Sequence, residues 1–440
     1  MPLIYRHYYS VRAQKPRQIA AEVLIEGARS EEYVETRLDK RLSEAGVGKA
    51  DRGLCQQLVY GVLRWERTLD WLIQRKCPRP PEKPLVSVLL RLGLFQMFWL
   101  DRIPDHASVN ESVEMAKNMG LRSQAGFVNA ILRGYARERE QTKALLAALK
   151  VERPGLGSSH PDWLCDRWLT RWGAAQMGRL LEWNNTPAPI FARVNTLKTT
   201  SAQITQAWTG EGVSWSEVAR DWFPGGLVYE LQSHPSLADL PSFREGHFYV
   251  QDPSTLLSVF ELDPKPGQLI LDLCAAPGGK TTFAAQLMGN QGRILACDKD
   301  TSRLGLLREN CARLGVTCVD PVDTSERIVP DLKFDAALVD APCSNTGVLR
   351  RRIEARWRLT PEEMQELAQF QASLLAAAAS QVRPGGKLVY STCSIETEEN
   401  EQVVSQFLEE NKGWRLLRQR TLLPLQDEVD GAFVAVIAAP

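Results

Sequence analysis

Two cysteines stand just beyond apolar, strand-like runs: Cys343 in Asp340-Ala-Pro-Cys343-Ser344, and Cys393 in Ser391-Thr-Cys393-Ser394. A thiolate is a strong nucleophile, and by adding to an electron-poor ring it makes the neighbouring carbon nucleophilic in turn. Open α/β sheets bind ligands beyond the carboxyl ends of their strands, so both thiols sit where covalent chemistry would occur. Asp340, at the end of the same run as Cys343, is suited to protonate or hydrogen-bond a ring nitrogen during such an addition. The other seven cysteines (55, 77, 165, 274, 297, 311 and 318) suit small buried hydrophobes. No two of the nine form a C-x-x-C pair, so neither a metal site nor a disulfide framework is expected.

A third motif reads Asp272-Leu-Cys274-Ala275-Ala276-Pro277-Gly278-Gly279-Lys280-Thr281 and joins an apolar strand to a helix. Its paired glycines let a ligand approach the backbone at a helix N-terminus. A phosphate-clamping loop would need a glycine five residues before Gly279, where Cys274 stands. A second strand ends at Asp298, 26 residues after Asp272, in the place where an acid accepts both ribose hydroxyl hydrogens. Asp323 follows a third strand. An ordinary helix N-cap would explain either Asp298 or Asp323 alone. Three acids at successive strand ends point instead to an adenosine-bearing ligand.

These residues need a scaffold, and the pattern after Asp252 supplies one. Apolar strands (QLILDLCAA, RILACDKD, FDAALVDAP, GKLVYSTCS, AFVAVIAA) alternate with helices from Thr281, Ser302, Pro361 and Glu398. That alternation predicts an α/β, Rossmann-like domain over residues 251–440 with a parallel, doubly wound sheet. Residues 1–150 repeat apolar positions at helical spacing, as in Leu54, Leu58, Val59 and Val62, and read as all-α. The Gly-, Pro- and Ser-rich segment 151–163 reads as a linker. It opens a stretch, 151–250, that carries a small α+β module with strand-like runs at Ile190–Leu197 and Phe248–Val250.

Lys plus Arg and Asp plus Glu are equal at 53 each, so the whole chain lacks a basic nucleic-acid signature. Residues 1–150 nevertheless hold 25 basic and 17 acidic side chains, an excess of +8 suited to phosphates or to a solvated helical surface. The longest apolar stretch, Leu85–Leu100, is 16 residues interrupted by Arg91, short of the ~20 that span a bilayer. The N-terminal MPLIYRHYYSVR has no apolar core with a cleavage site. A cytoplasmic, monomeric enzyme free of membrane is expected.

The combination DLCAAPGGKT, DAPCS-TG and LVYSTCS, in that order, resembles the RNA cytosine-C5 methyltransferase family. The resemblance implies S-adenosylmethionine as cofactor, held by the Asp272–Lys280 turn, Asp298, Asp323 and Asp340. It implies Cys393 as the nucleophile that adds to C6 of cytosine and Cys343 as the thiol that helps release the product. DNA cytosine methyltransferases use the Pro-Cys cysteine as nucleophile instead. CVDPVDTSE departs from the family here, lacking the Gly-Asp pair common in relatives.

The similarity extends forward. APIFARVNTLK (188–198) and VQDPST (250–255) are similar to the family's approach to its catalytic domain, and DRGLCQQLVYGVLRW to the NusB-like front domain of bacterial 16S ribosomal RNA methyltransferases. RNA contacts are expected from Arg193, from the run Arg350-Arg351-Arg352 and from Trp357, guanidinium groups suiting phosphates and an indole suiting an unstacked base. An enzyme acting on tRNA or another RNA, and a non-catalytic RNA-binding factor, remain the alternatives.

Overall fold

The computed structural model describes residues 15–27, 32–324 and 332–440. The N-terminal MPLIYRHYYSVR and the end of CVDPVDTSE lie outside them. The chain divides into two compact units, Met1–Asn185 and Thr186–Pro440.

The first unit is helical. Ala125–Arg137 shows the pattern, burying Val128, Ile131, Leu132 and Tyr135 on one face. Pro84–Trp99 is buried on nearly every side, from Val86 through Met97, and is the central helix of this unit's core. That accounts for the apolar Leu85–Leu100 stretch. Among the described residues no helix is long and apolar enough to cross a membrane.

Segment 151–163 is not an exposed linker. Helix Arg139–Glu152 runs into it, Pro154–Gly157 forms a helical turn, and Asp162 begins the helix that ends at Asn184. Leu156, Ser158, Ser159 and His160 are buried. Thr68 Oγ1 donates to Leu156 O at 2.7 Å and Arg67 to His160 O at 2.5 Å. Its glycines and serines permit close packing rather than freedom: a Cβ on Gly157 would lie 2.5 Å from Lys150 N.

The second unit holds two sheets. The smaller contains β1 (Ile190–Val194), β2 (Ser214–Glu217), β3 (Val228–Ser233) and β4 (Phe248–Val250), in the order β2-β3-β1-β4. All of its pairs are antiparallel. The larger contains β5 (Leu269–Leu273), β6 (Arg293–Asp298), β7 (Val319–Asp323), β8 (Phe334–Asp340), β9 (Val382–Thr392), β10 (Arg415–Leu422) and β11 (Ala432–Ala438), in the order β10-β11-β9-β8-β5-β6-β7.

Strands β5 to β9 are mutually parallel as expected, but β11 runs antiparallel to β9, and β10 to β11. The sheet is therefore mixed. The chain builds outward from β5 to β6 and β7, then returns to β8 on its other side, so the strand order switches between β5 and β8. The carboxyl edge at such a switch is where a ligand enters.

Candidate active site

Register places the chemical residues side by side along that edge. Asp272 is the penultimate residue of β5, Asp298 ends β6 opposite Asp323 of β7, and Asp340 of β8 pairs with Ser391 of β9. Asp323 is exposed.

In the turn after β5, Cys274 takes φ 61°, Ala275 and Ala276 are buried, and Gly278 takes φ 101° just before helix Gly279–Leu287. A Cβ at Gly278 would come 2.4 Å from Leu307 Cδ1, so this position needs glycine for both conformation and space. Asp272 is buried; its Oδ2 accepts from Thr281 Oγ1 at 2.6 Å, while Oδ1 has no hydrogen-bond partner among the described residues. Burial pushes its carboxyl up to about 7, against the Thr281 bond and with help from the charge of Asp340.

Asp298 Oδ2 accepts from Ala276 N at 3.1 Å and Oδ1 from Asp300 N at 3.0 Å. Each oxygen keeps a further lone pair for a ligand hydroxyl. Lys280 Nζ pairs with Asp340 Oδ1 at 2.6 Å and so ties this turn to the cysteine loop. Cys274 is no nucleophile: burial, with Asp340, Asp298 and Asp272 nearby, pushes its thiol up to about 12. An orphaned buried carboxylate oxygen, a glycine cradle and several acids suit a nucleoside ligand of net positive charge, as S-adenosylmethionine is. Among the described residues no cluster of three or more metal-ligating side chains occurs.

Ala341 N donates to Ser391 O at 2.9 Å, which aligns the loops after β8 and β9. Beyond that bond Cys343 and Cys393 meet with their sulfurs 2.8 Å apart, and both are free thiols. Cys343 is buried, and the hydrogen bond to Cys393, followed by burial, pushes its thiol well above the ordinary range. Cys393 is half-buried and donates to Asn345 Oδ1 at 3.3 Å. Asn345, at φ 61°, donates through Nδ2 to Cys343 O at 2.9 Å and so touches both cysteine segments. Gly347 N donates to Cys393 O at 3.0 Å.

The basic residues behave differently from expectation. Arg193 is 1 % exposed; it donates to Gln251, to Gly279 O at 2.8 Å and to Thr282 Oγ1 at 3.2 Å, with the rings of Tyr249 and Phe283 against its guanidinium. Enclosed in this way it is not available to RNA; it joins β1 to the cofactor turn. Arg350 is 4 % exposed and pairs with Asp430 at 2.6 Å. Arg351 pairs with Asp430 and with Asp252 at 2.8 Å, and donates to Pro189 O at 2.9 Å. The run lies on a turn that points its first two guanidinium groups at buried acids 79 or more residues away in sequence. Arg352 and Trp357 are exposed.

Sequence reasoning passed over Asn345, Gln371 and Glu399, all of which contact the cysteine loops. Nothing in their spacing marks them. The adjacency of Asn345 to DAPCS was the one available signal.

The fold and the edge together define an S-adenosylmethionine-dependent methyltransferase. Family models match in three segments: residues 14–137 to the NusB family, 160–230 to a Methyltr_RsmF/B-like, ferredoxin-like domain, and 259–438 to 16S rRNA methyltransferase RsmB/F. The Synechocystis sp. protein named "probable ribosomal RNA small subunit methyltransferase B" is 36 % identical over 95 % of this chain and 98 % of its own. Ribosomal RNA small subunit methyltransferase B of Vibrio cholerae is 34 % identical over 88 % and 89 %. A solved methyltransferase homolog protein from Pyrococcus horikoshii is 32 % identical, with a TM-score of 0.57 over 65 % of this chain and 97 % of its own. The chain belongs to the RsmB/F family of 16S rRNA methyltransferases.

Proposed function

We propose that this enzyme methylates C5 of a cytosine in 16S ribosomal RNA through a covalent bond between Cys393 and C6 of the base. The observation that carries the reading is the thiol pair at the β8 and β9 ends, one half-buried and one buried, 2.8 Å apart.

Cytosine C5 is too weakly nucleophilic to attack a methyl group unaided. The Cys393 thiolate adds to C6, and the electron pair displaced from the C5–C6 bond is delocalised toward N3, where Lys280, or Asp340 once protonated, donates a hydrogen bond. When bound, S-adenosylmethionine supplies an electrophilic methyl group to C5. A base must then take the C5 proton so that the electron pair re-forms the C5–C6 double bond and expels the Cys393 thiolate; the neutral Cys343 thiol, 2.8 Å from that sulfur, would donate a hydrogen bond to it as it leaves. Asp272, Asp298 and the Cys274–Lys280 backbone would hold the cofactor, with Asp323 at the rim.

The target base must leave its stack to meet a thiol at a sheet edge, which favours a loop or partly folded RNA. Of the expected RNA contacts, exposed Arg352 and Trp357 remain in the proposal; Arg193 and Arg350 leave it, and Arg351 is committed to internal partners. A metal-free monomer acting on cytoplasmic RNA completes the reading.

Variants are incubated with RNA and S-adenosylmethionine and resolved on denaturing gels. Cys393→Ala is expected to give neither product nor adduct, while Cys343→Ala transfers the methyl group and stalls as a covalent RNA complex. An adduct with Cys393→Ala that vanishes with Cys343→Ala would reverse the assignment. Bisulfite sequencing of ribosomal and transfer RNA from cells with and without the gene locates the modified base.

A further inference from the structure

Glu399 lies six residues beyond Cys393, and its side chain is buried. Its Oε1 accepts from Ser344 N at 2.8 Å and from Gln371 Nε2 at 3.0 Å. Its Oε2 accepts from the Ser344 hydroxyl and from Ser394 Oγ at 2.5 Å. Ser344 follows Cys343 in the chain, and Ser394 follows Cys393. One carboxylate therefore grips the residue next to each thiol.

The surroundings strengthen the grip. Gln371 Nε2 also donates to Pro342 O, on the other side of Cys343, at 2.8 Å. Tyr390 OH donates to Glu399 O at 2.6 Å and fixes the backbone that carries the carboxylate. Thr346 Oγ1 lies 3.3 Å from Ser344 Oγ and 3.2 Å from Ser394 Oγ, and accepts from Ile395 N at 3.1 Å. Only an acceptor-only group can take four donors in this way; an amide would turn its NH₂ toward one pair of them. Among the described residues no cation pairs with the carboxylate: burial raises its pKa, and the bonds from Ser344, Ser394 and Gln371 oppose that rise.

We propose that Glu399 is a positioning residue that sets the relative placement of Cys393 and Cys343, so that the second thiol can complete what the first begins. The proposal rests on the two-cysteine reading above. The two loops come from different strands, and the thiols act in sequence on one base. Methyl transfer needs only Cys393 aligned, whereas release needs both, so loosening the clamp slows release more than attack.

Glu399→Gln is expected to lower kcat roughly 10- to 100-fold, the scale of a ~1 Å misplacement of reacting groups, while S-adenosylmethionine affinity by calorimetry stays unchanged. The same variant should accumulate covalent RNA adduct in the presence of cofactor, a signature that mere loss of folded protein does not produce. Ser394→Ala removes one donor without leaving a buried charge uncompensated, and should show the same pattern more weakly. Adduct accumulation with intact cofactor binding supports the proposal. Wild-type kcat and adduct level in both variants overturns it, as does joint loss of cofactor binding and adduct in both. Cys393→Ala on the same gel separates the two claims. A blank lane there with wild-type behaviour of Glu399→Gln sinks only the positioning role; an adduct in that lane sinks the cysteine assignment, and the positioning role with it.

Discussion

The helical unit and the carboxyl edge of the large sheet use charged side chains in opposite ways. In the helical unit the paired acids face water: Arg67 pairs with Asp162 and Lys76 with Glu138, at acid exposures of 63 % and 48 %. The core beneath them is mainly apolar packing, with Glu22, Arg37 and Arg64 as its few buried charges. At the sheet edge Asp272, Asp298, Arg350, Glu399 and Asp430 are buried, and protein groups must supply the partners that water supplies elsewhere. Charge that water can satisfy tolerates substitution, whereas charge enclosed by protein fixes geometry and fails expensively. The same contrast separates Arg67, a partly exposed surface partner, from Arg350, an internal strut.

The largest effect that would sharpen this contrast is at Asp430. Asp430→Ala takes from Arg350 and Arg351 a buried carboxylate that pairs with both, Asp252 being the other acid they share. A loss of about 3–5 kcal/mol is expected, the cost of breaking a buried pair by removing one member. Urea denaturation of the full chain measures it; a loss below ~1 kcal/mol would mean that the strand-edge charges behave like surface ones.

A smaller effect is expected at Asp298. Asp298→Ala should weaken S-adenosylmethionine binding by roughly 1–3 kcal/mol, the scale for unpaired polar groups in a closed site, with RNA affinity little changed. Calorimetric titration decides it, and an unchanged cofactor affinity would take Asp298 out of the site.

Asp272 adds a pH dependence. Its carboxyl is pushed up to about 7 by burial, with Thr281 and Lys280 opposing the shift and Asp340 and Asp298 adding to it. A cationic ligand favours the ionised form, so below about pH 7 binding must release a proton. Cofactor affinity should therefore rise with pH, approaching tenfold per unit well below 7 and levelling off above it. Asp272→Asn should flatten that profile. A slope that persists in the variant assigns the proton to another group.

The contrast also marks what could be read from sequence. Strands β5, β6 and β8 are short runs with Asp at or next to their ends, and β9 closes on the buried LVYST just before Cys393, because these segments are covered and their ends are functional. β10, RLLRQRTL, went unrecognised because it is an edge strand whose side chains are mostly exposed, so no apolar alternation marks it. Its antiparallel pairing with β11 was hidden for the same reason. Arg350 read as a phosphate contact because local sequence cannot show a partner 80 residues distant. Glu399 was missed because a buried acid and an exposed one look alike until the hydroxyls that surround it are placed. Periodicity reports where a side chain is buried by its own element; it does not report which polar groups converge from different ones.

The smallest predicted effect tests the other half of the contrast. Arg67 meets Asp162 through two bonds, Nη1 to Oδ1 at 2.8 Å and Nη2 to Oδ2 at 2.5 Å, with Asp162 in the first turn of its helix. This geometry is as good as a surface pair offers, and the Arg67 bond is the largest influence holding the Asp162 carboxyl below its usual range. Even so, solvent screens both groups, so Asp162→Asn should cost only about 0.2–1 kcal/mol at neutral pH. Because the folded-state pKa is depressed, the stabilisation is present above the unfolded value near 4 and is lost as pH falls through the folded one. The wild type and Asp162→Asn should therefore converge in acid, and also at molar salt. Paired urea titrations at neutral and acid pH measure both trends. A neutral-pH loss near that of Asp430→Ala would show that exposure does not separate the two regions and that bidentate geometry alone sets the strength of a pair.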